Sequence, residues 1–298
     1  MHRTLCAMPT DINNHKSMKK TTVFAIVLLA FAIKALAQTG NLVKPDTVVV
    51  RCDSIDLCAL VFRPKGEGPF PAVLFNHGRS ITFDERKTKT SQAFILGQLF
   101  ADRGYVFCAF FRRGEGLSLD KVIHIGQLLD QERAAYGVEA ANRLQVQLLR
   151  TRELDDALSA IEVLKTIPGV DPSHVGVVGH SFGGSLALLI AARDSAIKAT
   201  VDFAGGAGSW NNSHLRNTLI AAVNQLKSPV LFVFASNDYS VEPGRALAAE
   251  LAREEKVHQL RIFPSFGNTS AEGHQFIYSA VDKWDSVVFP FLDKHLKR

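Results

Sequence analysis

Short, continuous apolar runs alternate with helical patterns along this chain, and that alternation restricts its fold more than any single motif does. "PAVLFNHG", "YVFCAFFRRG", "HVGVVGH", "KATVDFAGG", "SPVLFVFASND" and "HQLRIFPS" each carry an apolar run that closes in a glycine-bearing or polar turn. Strands of this kind, apolar on both faces, belong inside a sheet that is covered on both sides. Helical spacing appears in "TSQAFILGQLFADRG", which ends at Gly104, and in "RELDDALSAIEVLKTIPGVDP", which is stopped by Pro168 and Gly169. It recurs over 182–193, roughly 212–226, 243–255 and 276–296. "DTVVVRC" and "LCALVFRP" read as an antiparallel pair ahead of this series. The whole predicts an α/β fold whose mostly parallel sheet carries helices on both faces.

One segment breaks the rhythm. Between "RRGEGLS" and "RELDDAL", about residues 119–149, the pattern is helical and holds no strand. It reads as a short helical lid over the strand C-termini or an N-terminal extension of the next helix. No repeat or low-complexity linker divides the remainder, so residues 38–298 are expected to form a single catalytic domain.

The N-terminus reads as an address. "MKKTTVFAIVLLAFAIKALAQ" has two lysines, an apolar run and Ala35-Leu36-Ala37, the three regions of a secretory signal peptide, with cleavage expected between Ala37 and Gln38. Met18 is the natural start of that signal, which makes residues 1–17 a candidate over-extension. The apolar run is short for a span and Lys34 interrupts it, so no stable membrane span is expected after processing. Arg3, Lys16, Lys19, Lys20 and Lys34 against Asp11 give the leader +4 of the formal charge of +5, leaving the mature chain at about +1. So small a charge removes the argument for nucleic-acid binding. A secreted or periplasmic protein is expected. Of the four cysteines, Cys6 leaves with the leader; Cys52 and Cys58 flank a hairpin turn and are either a cross-strand disulfide or two reduced, half-buried thiols. Cys108 reads as core, and no zinc-ligand spacing links them.

Chemistry in such sheets sits at the carboxyl ends of the strands. Gly179-His180-Ser181-Phe182-Gly183 fits G-x-S-x-G, with an apolar strand before it and an Ala/Leu-rich helix after it, as a nucleophile elbow requires. A serine hydroxyl needs a base to take its proton, and the base needs an acid to fix its tautomer. Asp238 follows the late strand in "LFVFASND", and His274 follows the last strand in "NTSAEGHQF", so the order is Ser, Asp, His. Asp202 is the rival acid, but it falls inside a strand. The candidate oxyanion donors are the backbone N–H of Phe182, at a helix N-terminus, and the N–H of Arg79, in the loop after "VLFNHG". His77 reads as a structural histidine. Arg112, Trp210 and Phe276 are candidate substrate contacts, and Arg79 is a candidate partner for a substrate carboxylate.

These residues resemble the α/β-hydrolase superfamily over essentially the whole mature chain. "NHG", "RRGEGLS", "GHSFGG", "SND" and "EGH" fall where that superfamily has its oxyanion loop, its R-G-x-G-x-S turn, its elbow, its acid and its histidine. Within it the chain looks like the dienelactone-hydrolase-like and prolyl-oligopeptidase-related (S9) serine hydrolases. The resemblance implies the α/β-hydrolase fold, with an eight-stranded, mostly parallel sheet and a Ser181–Asp238–His274 triad that uses neither metal nor cofactor. Cysteine is a common nucleophile among dienelactone hydrolases, and this chain has serine. Three functions follow: a serine esterase acting on a small ester, preferably of short acyl chain; an S9-type peptidase or amidase acting on a short peptide; and a non-catalytic hydrolase-fold binding protein. The missing S9 β-propeller favours the esterase, and an intact Ser, Asp, His order argues against the binding protein.

Overall fold

The computed structural model describes residues 42–120 and 122–298, so the leader, its cleavage site and the residues before it lie outside the described residues. Lys44–Arg298 forms one compact unit. Its strands are β1 (Asp46–Cys52), β2 (Ile55–Phe62), β3 (Phe70–Asn76), β4 (Val106–Phe111), β5 (Val170–His180), β6 (Ala199–Phe203), β7 (Val230–Ala235) and β8 (His258–Phe263). They make one eight-stranded sheet in the order β1-β2-β4-β3-β5-β6-β7-β8. The hairpin β1–β2 is antiparallel and joins the sheet antiparallel to β4; every pairing from β4 to β8 is parallel. This is the α/β-hydrolase arrangement.

The period-2 alternation of the strands sorts the core into two layers. Along β4, Val106, Cys108 and Phe110 pack into the cluster beneath the helices α3 (Arg152–Thr166), α4 (Phe182–Arg193), α5 (Ser213–Gln225) and α6 (Glu242–Arg253). Phe107, one residue out of phase, faces the other way. There its ring lies 5.5 Å from Phe75 and 4.8 Å from Phe100 of α1 (Phe83–Asp102), and Phe100 in turn meets Phe289 of α9 (Val281–Leu296) at 5.0 Å. The first face is mainly aliphatic, with Phe110, Phe232 and Phe234 among its members, and the second is largely aromatic.

Two elements depart from the sequence pattern. Helix α1 begins at Phe83, well before "TSQAFILG", because the Thr82 side chain caps it by accepting from the Glu85 N–H. The segment expected as one helix over 276–296 is broken at Ala280 (φ −131°, ψ 41°) into α8 (Phe276–Ser279) and α9. The inserted segment is the helix α2 (Ile125–Arg150), interrupted at Gly137, where φ 85° and ψ 178° leave the helical region. Cys52 and Cys58 are free: in the hairpin register Cys52 lies opposite Ile55 and Cys58 opposite Val49, so they do not face each other. Burial pushes the Cys52 thiol up to about 12, with the adjacent Asp156 adding to it. No helix among the described residues is long and apolar enough to cross a membrane.

Candidate active site

Three strand ends converge on one cavity. Strand β5 ends at His180 and the chain turns so sharply into α4 that Ser181 adopts φ 56°, ψ −116°. Only small residues permit this turn: a Cβ on Gly179 would strike the carbonyl of Gly183, and one on Gly183 would strike the carbonyl of Asn76. Asp238 follows β7, and its backbone N–H closes a turn onto the Ala235 carbonyl at 3.1 Å. His274 follows β8, as the sequence predicts, but not in an open loop. It instead ends the five-residue helix α7 (Ser270–His274), which is held by a capping box in which Thr269 and Glu272 satisfy each other's backbone N–H.

The three side chains form a continuous hydrogen-bonded line. His274 Nε2 lies 2.8 Å from Ser181 Oγ, and His274 Nδ1 lies 2.7 Å from Asp238 Oδ1. A carboxylate only accepts, so Nδ1 carries the proton and the Nε2 lone pair faces the serine hydroxyl. Asp238 Oδ1 also accepts from the Tyr239 N–H at 2.6 Å. The carboxylate is almost wholly enclosed and the imidazole is about a tenth exposed, so solvent scarcely competes for either bond. Two rings hold the imidazole from its sides: Tyr239 and His180, each with centroids 4.8 Å away.

The cavity at this line has a volume of about 590 Å³. Gly78, Arg79, Ser181 and Phe182 form its floor side, Gln145 and Leu149 of α2 and Leu215 of α5 contribute walls, and Tyr239 borders it beside His274. Two cations line it, Arg79 and Lys89. Lys89 is 7% exposed, and burial draws its ammonium below the ordinary lysine range, with Glu115 opposing that shift. Burial likewise lowers Arg79, against the pull of Asp130.

Several anticipated residues lie elsewhere. Arg112 is not a substrate contact. It is fully buried beneath the cavity, where it donates to the His77 carbonyl at 2.6 Å, pairs with Glu153 at 3.4 Å and stacks over Phe182 at 5.0 Å. Phe276 packs against Phe263 and Phe266, the Trp210 ring lies under the Arg216 guanidinium, and neither lines the cavity. His77 is structural: its Nδ1–H donates to the Gly78 carbonyl and its Nε2 accepts from the Arg112 N–H. Asp202 lies within β6 with Oδ1 accepting from the Gly205 N–H at 2.7 Å, and it makes no bond to His274.

Sequence reasoning missed Lys89, Glu115 and Tyr278. Lys89 had a legible signal, since it shares an apolar stripe with Ala93, Leu96 and Phe100 of α1. Glu115 is an anchor: it accepts from the Ser80 N–H and hydroxyl and from His124, tying the loop after β3 to the start of α2. Burial opposes its charge, but His124, His77, Arg112 and Lys89 together hold the carboxyl well below the usual range. Among the described residues no cluster of His, Cys, Asp and Glu is arranged to hold a metal ion.

Fold and site together define an α/β hydrolase. The chain belongs to the dienelactone hydrolase family, whose model matches residues 57–295. Among relatives, a Synechocystis protein provisionally named carboxymethylenebutenolidase is 36% identical over 172 residues, 56% of this chain and 62% of that protein. The chain therefore spans less than two thirds of that relative's length. Among solved structures, the acylaminoacyl peptidase of Pyrococcus horikoshii superposes with a TM-score of 0.62 at 17% identity, over 87% of this chain and 42% of that one. The dienelactone hydrolase of Anabaena variabilis gives 0.56 at 17% identity, over 86% of this chain and 100% of that one. At such identities these structures share the fold.

Proposed function

We propose that this protein is an exported serine hydrolase that cleaves a carboxylic ester through an acyl-enzyme on Ser181. The observation that carries the reading is the unbroken line from Ser181 Oγ through His274 to buried Asp238, at 2.8 and 2.7 Å. Ser181 Oγ attacks the carbonyl carbon as its proton passes to His274 Nε2, and Asp238 stabilises the resulting imidazolium. The oxyanion accepts hydrogen bonds from the backbone N–H groups of Phe182 and Arg79. Collapse expels the alcohol, which takes the proton from Nε2. Water then attacks the acyl-enzyme by the same route in reverse, releasing the acid and restoring the serine. Export rests on the leader sequence.

The ester reading gains support from relatives named as a dienelactone hydrolase and a carboxymethylenebutenolidase. The peptidase alternative draws on the acylaminoacyl peptidase, of which this chain matches only 42%. Substrate charge follows from the cavity. Arg79 and Lys89 line it without a hydrogen-bonding carboxylate of their own and outnumber the one carboxylate of its lining, Glu85, so an ester bearing a negative group is the favoured substrate. The deciding experiment is a matched panel of aryl esters and aminoacyl anilides, each with and without a terminal carboxylate. Ester kcat/KM should exceed that of the matched anilide, with acidic esters foremost; faster anilide cleavage would establish the peptidase instead.

A further inference from the structure

The loop after β3 and the catalytic histidine come from opposite ends of the chain, yet a second line, part packing and part hydrogen bonds, joins them at the base of the elbow. It starts at Gly78, whose backbone packs against the His180 ring, the ring that Tyr278 of α8 also meets edge-on. Tyr278 is buried, and its hydroxyl lies 3.3 Å from His180 Nδ1. On the other side of the ring, His180 Nε2 lies 2.8 Å from the backbone carbonyl of His274. A carbonyl only accepts, so Nε2 is the protonated nitrogen and Nδ1 presents a lone pair, to which the Tyr278 hydroxyl donates. The assignment is self-consistent, because a neutral imidazole has one donor and one acceptor and both are used.

Packing reinforces the line. A Cβ on Gly78 would lie 2.9 Å from His180 Nδ1 and 3.3 Å from Ser181 Cβ, so the loop backbone sits directly on the ring and the elbow. The same ring lies edge-on to Tyr278 at 5.1 Å and beside His274 at 4.8 Å. Burial, reinforced by His274, holds His180 well below the usual histidine range, so it stays neutral and keeps this donor-acceptor polarity.

We propose that His180 and Tyr278 are positioning residues that lock the oxyanion loop at Gly78–Arg79 to the backbone of His274, fixing the distance between oxyanion donors and base. The proposal rests on the Ser181 hydrolase reading. His180 borders the cavity, but it is 2% exposed and both its ring nitrogens are engaged, so it acts through its neighbours. A structural error of an ångström at either end misaligns proton transfer against oxyanion binding, so the effect belongs in kcat.

The test compares wild type with Tyr278→Phe, His180→Leu and His180→Gln, measuring kcat, KM and thermal midpoint on one aryl ester. Gln can still donate to the His274 carbonyl, whereas Leu keeps only bulk. Tyr278→Phe should lower kcat about tenfold and His180→Leu about a hundredfold, with KM within about twofold. His180→Gln should recover most of the loss, and adding Tyr278→Phe to His180→Leu should change kcat little further. Should His180→Leu fail to fold, Tyr278→Phe and His180→Gln carry the comparison. Variants within about twofold of wild type in kcat, or His180→Gln as slow as a folded His180→Leu, would overturn the positioning role and leave the hydrolase reading intact. A wild-type chain inert to every ester and anilide would overturn both.

Discussion

Ser181 sits in a backbone region that L-residues rarely occupy, at φ 56° and ψ −116°, a conformation that costs of order 1–3 kcal/mol and persists because strand, helix and glycines over-determine it. The strain holds the hydroxyl proud of the sheet, facing His274. Lys89 shows the opposite economy: a cation kept 7% exposed in the cavity with no partner carboxylate hydrogen-bonded to it. Lys89→Gln should raise KM for carboxylate-bearing esters about tenfold and leave neutral esters within about twofold, a difference read directly from paired Michaelis curves. Asp202 carries a pH prediction. Burial pushes its carboxyl from 3.8 up to about 7, with the Gly205 N–H opposing that rise and Asp238 adding to it. The native state therefore holds a proton that the unfolded chain has released, and stability is lost as pH rises from about 4 to 7. The full effect is of order 4 kcal/mol. Asp202→Asn, which keeps an acceptor for Gly205 and removes the charge, should gain on wild type progressively over that window in urea unfolding. Parallel profiles at pH 4, 6 and 8 would contradict it.

Among the elements, those with a strong period were legible and those set by distant partners were not. Helix α4 runs over Phe182–Arg193, the range its Ala/Leu pattern predicts, and the strands of the parallel series fall on the apolar runs. Helix α1 was read short because its first turns, "FDERKTKT", are almost wholly polar and lack an apolar stripe. The T-x-x-E of Thr269–Glu272 forms the capping box of α7, but a five-residue helix has no period to read and the sequence pattern did not reveal it. Arg112 looked available at a strand end; its burial follows from Glu153 on α3 and the His77 carbonyl, partners that only the tertiary fold supplies. The inserted helix α2 supplies a cavity wall through Gln145 and Leu149. On the proposed ester reading this wall would meet the acyl chain, so p-nitrophenyl esters should peak at short chains. Leu149→Ala should shift the preference toward longer ones while costing roughly 2–5 kcal/mol of stability, since Leu149 is fully buried. A maximum at long chains in the wild type would contradict the reading.

At the scale of the whole molecule, the candidate site exists because the parallel strands present their carboxyl ends on the same side. Ser181 follows β5, Asp238 follows β7, His274 follows β8 and Gly78–Arg79 follow β3, so residues far apart in sequence meet without any one segment encoding the site. Their order along the chain was readable; their distances were not, because those depend on register across the sheet. The measurement that tests the central claim most directly is covalent modification by a fluorophosphonate, followed by intact mass and peptide mapping. Wild-type protein should take up one equivalent on the peptide bearing Ser181, and Ser181→Ala none. Asp238→Ala should react about 10³–10⁴ times more slowly, since the base loses its orienting partner. A folded wild-type protein that stays unmodified, or carries its adduct on another residue, would contradict the account.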